Sequence, residues 1–77
     1  MEGRRRLCAQ IDHALIAQFL SYWIAAGKPC ELTIKPSAKS PTLIGVIFDV
    51  APKDRTTIEF MNRAQEATRA KIWDITK

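Results

Sequence analysis

Histidine occurs once in these 77 residues, cysteine twice and glycine three times, and each scarcity excludes a class of chemistry. His13 with Cys8 and Cys30 offers no CxxC or HxxxH spacing, so no metal site is expected. The two cysteines flank a segment that predicts a helix. A continuous helix would hold them roughly 25 Å apart, against the limit of about 7 Å between the Cα atoms of a disulfide. Both read as free thiols, which suits a reducing, cytoplasmic setting. His13 is the one candidate general base. It sits beside Asp12 at a predicted helix start, with no serine or cysteine placed by a motif to serve as its nucleophile. Gly3, Gly27 and Gly45 stand alone, so no phosphate-cradling loop is present. The longest apolar stretch, residues 14–26, is broken by Gln18 and Ser21 and falls short of a membrane span. The opening MEGRRRL lacks a small-residue cleavage site and is not read as a signal peptide. These absences together predict a chain that is not an enzyme and uses no cofactor.

What is present is ordinary globular composition, 47% hydrophobic and 26% charged. A chain of this length is expected to form one domain, burying only about 60% of the surface that its unfolded form exposes. Twelve basic side chains against eight acidic ones leave a net charge of +4, compatible with nucleic acid or an acidic partner and specific for neither.

Along the chain, residues 1–6 predict a flexible basic arm. Cys8, Ile11, Leu15, Ile16, Phe19, Leu20, Trp23 and Ile24 then fall at helical spacing, predicting an amphipathic helix over 8–26 that Gly27 and Pro29 end. Residues 30–36 alternate, with Cys30, Leu32 and Ile34 on one face, and predict a strand. Residues 42–51 are β-branched and aromatic and predict the central strand, with Gly45 marking a bend or a close backbone approach. Residues 56–61 read as a third strand, although Thr56 and Glu59 also match a helix capping box. Over 62–76 propensity favours helix and the final pattern favours strand, so a helical turn, a closing strand or both are expected.

The helix ending in Ala26-Gly27-Lys28-Pro29, the segment ELTIKP, the run LIGVIFDVAPKDRTTIEF and the closing Ile72-Trp73-Asp74-Ile75 form one pattern. It resembles the YolD-like and Sm-like small β-barrels over about residues 11–76. Gly45, Val46, Ile47 and Val50 stand where those barrels place a glycine and alternating apolar residues, and Ile72 and Ile75 match their closing strand. The resemblance implies an α+β fold: an N-terminal amphipathic helix followed by a small, strongly bent antiparallel sheet. The alternative is α-β-β-β-α, a C-terminal helix over a three-stranded sheet.

Two functions follow from this reading. The first is a small non-enzymatic module acting through protein–protein contacts, such as an adaptor or inhibitor of the phage or mobile-element type. Tyr22, Trp23 and Trp73 would be its interface anchors, and its partner would be an unidentified protein or a second copy in a homodimer. The alternative is a nucleic-acid-binding barrel that grips phosphates with Arg4, Arg5, Arg6, Lys35, Lys53, Arg55, Arg69 and Lys71.

Overall fold

The computed structural model describes residues 3–38 and 40–76. Where helical spacing predicts a first helix from residue 8, the chain instead opens with a strand, β1 (Arg5–Asp12). Leu7, Ala9 and Ile11 face the core, while Arg6, Cys8, Gln10 and Asp12 alternate on the other side. Pairing decides between the two periods. All eight residues of β1 pair antiparallel with β3 (Leu43–Val50), from Arg5 opposite Val50 to Asp12 opposite Leu43. Arg5 and Arg6 therefore belong to a strand rather than to a flexible arm, and Met1 and Glu2 lie outside the described residues.

The helix begins later and is shorter than predicted. Asp12 Oδ1 accepts from the Ala14 N–H at 2.9 Å, opening a 3-10 turn (His13–Leu15) that leads into α1 (Ile16–Ala25). Gly27, with φ of 87°, and Lys28, with φ of 54°, unwind its end. The edge strand β2 (Thr33–Pro36) pairs with β3, from Thr33 opposite Ile47 to Pro36 opposite Ile44.

The expected strand over 56–61 is the first half of a helix, α2 (Arg55–Thr68). Its start is fixed two residues before the Thr56–Glu59 box. Asp54 takes the Thr57 N–H on Oδ1 at 3.0 Å and the Thr57 hydroxyl on Oδ2 at 2.5 Å. Its buried face is Thr57, Phe60, Ala64 and Thr68, a spacing of three and four that only a helix can satisfy. Arg69, left-handed with φ of 57°, ends it, and β4 (Lys71–Asp74) returns to pair with the free side of β1.

The sheet order is β2-β3-β1-β4, with every neighbouring pair antiparallel. The succession β-α-β-β-α-β in that order is the ferredoxin-like split β-α-β. This is an α+β fold with a four-stranded sheet and two helices, and it corrects both predicted architectures. The sheet is open, since β2 and β4 are its edges and do not meet, so the Sm-like barrel is not formed. Closure would need a sharp bend at Gly45. There the strand runs in unbroken register, and a Cβ would make only ordinary contacts, 3.6 Å from Lys35 O and 3.8 Å from Cys8 Sγ. The α-β-β-β-α alternative fails because the outer elements are strands.

Both helices cover one face. The core gathers Ala9, Ile11, Val46, Phe48 and Val50 from the sheet with Phe19 of α1 and Phe60 and Ala64 of α2. The opposite face carries Cys8, Gln10, Gly45, Ile47 and Asp49, which are only half-buried. Buried Thr68 donates its hydroxyl to Ala64 O at 2.7 Å, and no buried side-chain polar atom among the described residues lacks a partner. Among those residues no helix is long and apolar enough to cross a membrane.

Candidate functional site

At the end of the sheet where β1 begins and β3 ends, α2 stands off from the strands and leaves a groove of about 770 Å³. Its sheet side is formed by Leu7, Val50 and Ile72, its helix side by Ile58 and Met61, and the Ala51–Pro52 turn closes one end. All are placed by alternation or helical spacing on the core side of their elements, but here the core runs out of filling. The volume lies within the roughly 300–1,000 Å³ of typical small-molecule sites, which pair apolar walls with a few polar groups.

Three polar side chains line the same groove. Gln65 donates its Nε2 to Ala70 O at 3.3 Å, which fixes the amide at the wall. Arg5 and Asp74 stand on neighbouring strands with Nη1 and Oδ2 3.7 Å apart, an exposed and loose ion pair. Asp74 is tied more firmly to Thr76, whose N–H donates to Oδ1 at 2.7 Å. Hydrogen bonds from the Thr76 hydroxyl and N–H, with the Arg5 charge beyond them, hold the Asp74 carboxyl below its usual range.

The thiols lie elsewhere and are poor nucleophiles. Burial pushes Cys8 up, and burial followed by the nearby Asp54 charge pushes Cys30 up, so both stay protonated at neutral pH. Both are free, but Cys8 is in β1 and not at the edge of a helix, so the helix-length argument for their separation does not apply. His13 begins the 3-10 turn, and its Nδ1 lies 3.1 Å from Thr42 O. It is exposed and away from the groove. No cluster of metal-ligating side chains occurs among the described residues.

The eight cations expected to grip phosphates do not come together. Arg4, Arg5, Arg6, Lys53 and Arg55 lie at the groove end of the sheet, where Arg5 pairs with Val50. Arg6 is committed to Asp49 at 3.2 Å. Arg69 and Lys71 lie at the opposite end, beyond α2. Lys35 and Lys71 share one row, but on opposite edge strands with Gly45 and Gln10 between them, about 14 Å apart at the usual strand spacing.

The three aromatic anchors also separate. Trp23 is half-buried and pinned, donating Nε1–H to Cys30 O at 2.7 Å beneath the Lys28 ammonium, which lies 5.9 Å from its ring centroid. Tyr22 packs against the core from α1. Trp73 alone is well exposed, at 44%, on β4 at the groove rim. By register it continues a row across the open sheet face: Thr33, Ile47, Cys8, Trp73.

No family model matches this chain, and no curated protein matches it in sequence. Among solved structures it is similar to a protein of Bordetella bronchiseptica provisionally described as an antibiotic biosynthesis monooxygenase. The TM-score is 0.56 at 14% identity, over 99% of this chain and 98% of the other. The likeness is one of fold.

The open sheet and this likeness of fold remove the ground of both predicted functions. The adaptor or inhibitor function, and the phosphate-gripping alternative, were expectations attached to a small barrel. The fold that replaces the barrel is shared end to end with a protein described as an enzyme. The expectation of a non-enzyme draws no support from this likeness, because the protein that shares the fold is itself described as an enzyme. The groove residues Leu7, Ile58, Met61, Gln65 and Ile72 are not legible as a site in the sequence. Each reads as core, and only the tertiary arrangement shows a gap between them.

Proposed function

We propose that this chain is a small enzyme-type domain that takes a compact, mainly apolar organic molecule into the groove between α2 and the sheet, as a substrate for oxygenation. The observation that carries the reading is the groove itself: about 770 Å³, with apolar walls and Gln65, Arg5 and Asp74 as its polar groups. The full-length fold likeness to a protein described as a monooxygenase supports the reaction class. In monooxygenation one atom of O2 enters the substrate and the other leaves as water, and the electrons come from the substrate or from an added reductant. Apolar walls suit an electron-rich ring and keep bulk water from the reacting carbon.

Titration of the labelled protein with 2-naphthol, followed by amide NMR, tests the binding step. Saturable shifts confined to the amides around Leu7, Ile58, Met61 and Ile72 are expected, and they should vanish when Met61→Trp fills the groove. Shifts that are absent or scattered over the surface would remove the site. Oxygen uptake with 2-naphthol, alone and with added reductant, then tests the reaction class.

The open sheet face supports self-association as well. Cys8 and Ile47 with exposed Trp73 make an apolar row on a face that no helix covers, rimmed by Lys35 and Lys71 on one side and the Arg6–Asp49 pair on the other. Such a face fits a second copy of this chain.

A further inference from the structure

Resting on the groove reading above, we propose that the molecule bound there carries a carboxylate, and that Arg5 receives it by exchanging its loose pairing with Asp74 for a direct hydrogen-bonded one. The two charges at the groove are not equivalent. Asp74 already accepts the Thr76 N–H at 2.7 Å, so its negative charge is partly met by a fixed backbone donor. The Arg5 guanidinium has no hydrogen-bond acceptor among the described residues, and its nearest carboxylate oxygen is 3.7 Å away, beyond hydrogen-bond reach. Its side chain is 73% exposed at the groove's opening. A guanidinium presents a planar fork of donors that a carboxylate matches with two parallel hydrogen bonds. Arg4 and Arg6 do not compete for this role. Arg6 is held by Asp49 at 3.2 Å, and neither residue lines the groove.

The strand geometry gives the ligand its orientation. Arg5 and Leu7 are two residues apart on β1 and project to the same side of the sheet, so the cation and the apolar wall face one space. A carboxylate at Arg5 therefore sends the attached apolar body inward between Leu7, Ile72 and Met61. An ammonium ligand would reverse the logic, seeking Asp74 at the cost of proximity to Arg5.

Three probes of one shape separate these cases: 2-naphthylacetate, 2-(2-naphthyl)ethanol and 2-(2-naphthyl)ethylammonium, each titrated calorimetrically and by amide NMR into the full chain. The carboxylate is expected to bind up to about fivefold more tightly than the alcohol at low salt, the range of one exposed ion pair. The preference should shrink as salt rises. Arg5→Gln should abolish it, weakening the carboxylate more than the alcohol. Asp74→Asn, which removes the competing charge and keeps an oxygen for the Thr76 N–H, should enlarge it. Equal binding of all three probes, or tighter binding of the ammonium, would overturn the role of Arg5 and leave the groove reading standing. Failure of all three to shift the groove amides would overturn both.

Discussion

Phe19 of α1 and Phe60 of α2 meet edge to face above the sheet, ring centroids 5.4 Å apart and planes inclined by 75°. Phe48 of β3 approaches Phe60 in the same manner at 6.1 Å, so one ring joins both helices to the central strands. Phe60 is 1% exposed. Phe60→Ala is expected to cost about 3–5 kcal/mol, comparable to the whole margin of a domain this small. The variant should unfold at or below room temperature in urea or thermal melts followed by circular dichroism. Phe60→Leu, which keeps much of the volume, should lose well under half as much. Similar losses for both would mean that the site can collapse around a cavity.

The central strand is the most legible element because its β-branched and aromatic run has only one reading; β3 is an interior strand as expected, although the β1 beside it is not. The first strand was not legible. Cys8, Ile11 and Leu15 fit a helical stripe while Leu7, Ala9 and Ile11 fit alternation, and nothing local separates the two. Pairing with β3, more than thirty residues away, decides it. At α2, Thr, Ile and Phe argued for extended chain, but the Asp54 cap and the burial of Thr57, Phe60, Ala64 and Thr68 on one side outweigh that preference.

The Asp54 cap gives stability a pH dependence. Its carboxyl lies below its ordinary value of 3.8, chiefly because the Thr57 hydroxyl donates to it and next because the Thr57 N–H does. A group whose folded-state pKa is depressed contributes stability above its unfolded pKa and loses it as pH falls through the folded value. Asp54→Ala should therefore cost about 1 kcal/mol at pH 7. The cost should shrink once the pH drops below about 4. Urea melts of both proteins between pH 7 and pH 2.5 read this directly, and a difference independent of pH would contradict the charged-cap account.

Arg69 occupies a left-handed conformation, φ 57° and ψ 32°, with its N–H on Gln65 O at 2.7 Å. Glycine adopts that conformation without the cost a side chain bears. Arg69→Gly should raise stability by up to about 1 kcal/mol, seen as a higher melting midpoint. Arg69→Val, branched at Cβ, should lower it. Equal effects from the two substitutions would place the contribution in the arginine side chain rather than in the backbone.

Trp73 separates the open face from the core. In sequence its side chain reads equally well as core or as anchor, because β4 is short and Ile72 and Trp73 are both large. The register resolves it: Ile72 pairs with Ala9 on the helix side, and Trp73 pairs with Cys8 on the open side. With 44% of its surface exposed, Trp73→Ala should cost well under the roughly 3–5 kcal/mol of a buried tryptophan, and the variant should fold. If the open face seats a second copy, the parent chain should show a dimer by light scattering that dissociates on dilution, and Trp73→Ala should remain a monomer at concentrations where the parent is paired. A parent that stays monomeric throughout would sink self-association. A dimer indifferent to Trp73→Ala would move the interface off this row, to one of the unpaired strand edges. Because Trp73 also forms the groove rim, 2-naphthol titrations of the variant should be compared with the parent held in its monomeric range, so that loss of pairing and loss of ligand contact are read apart.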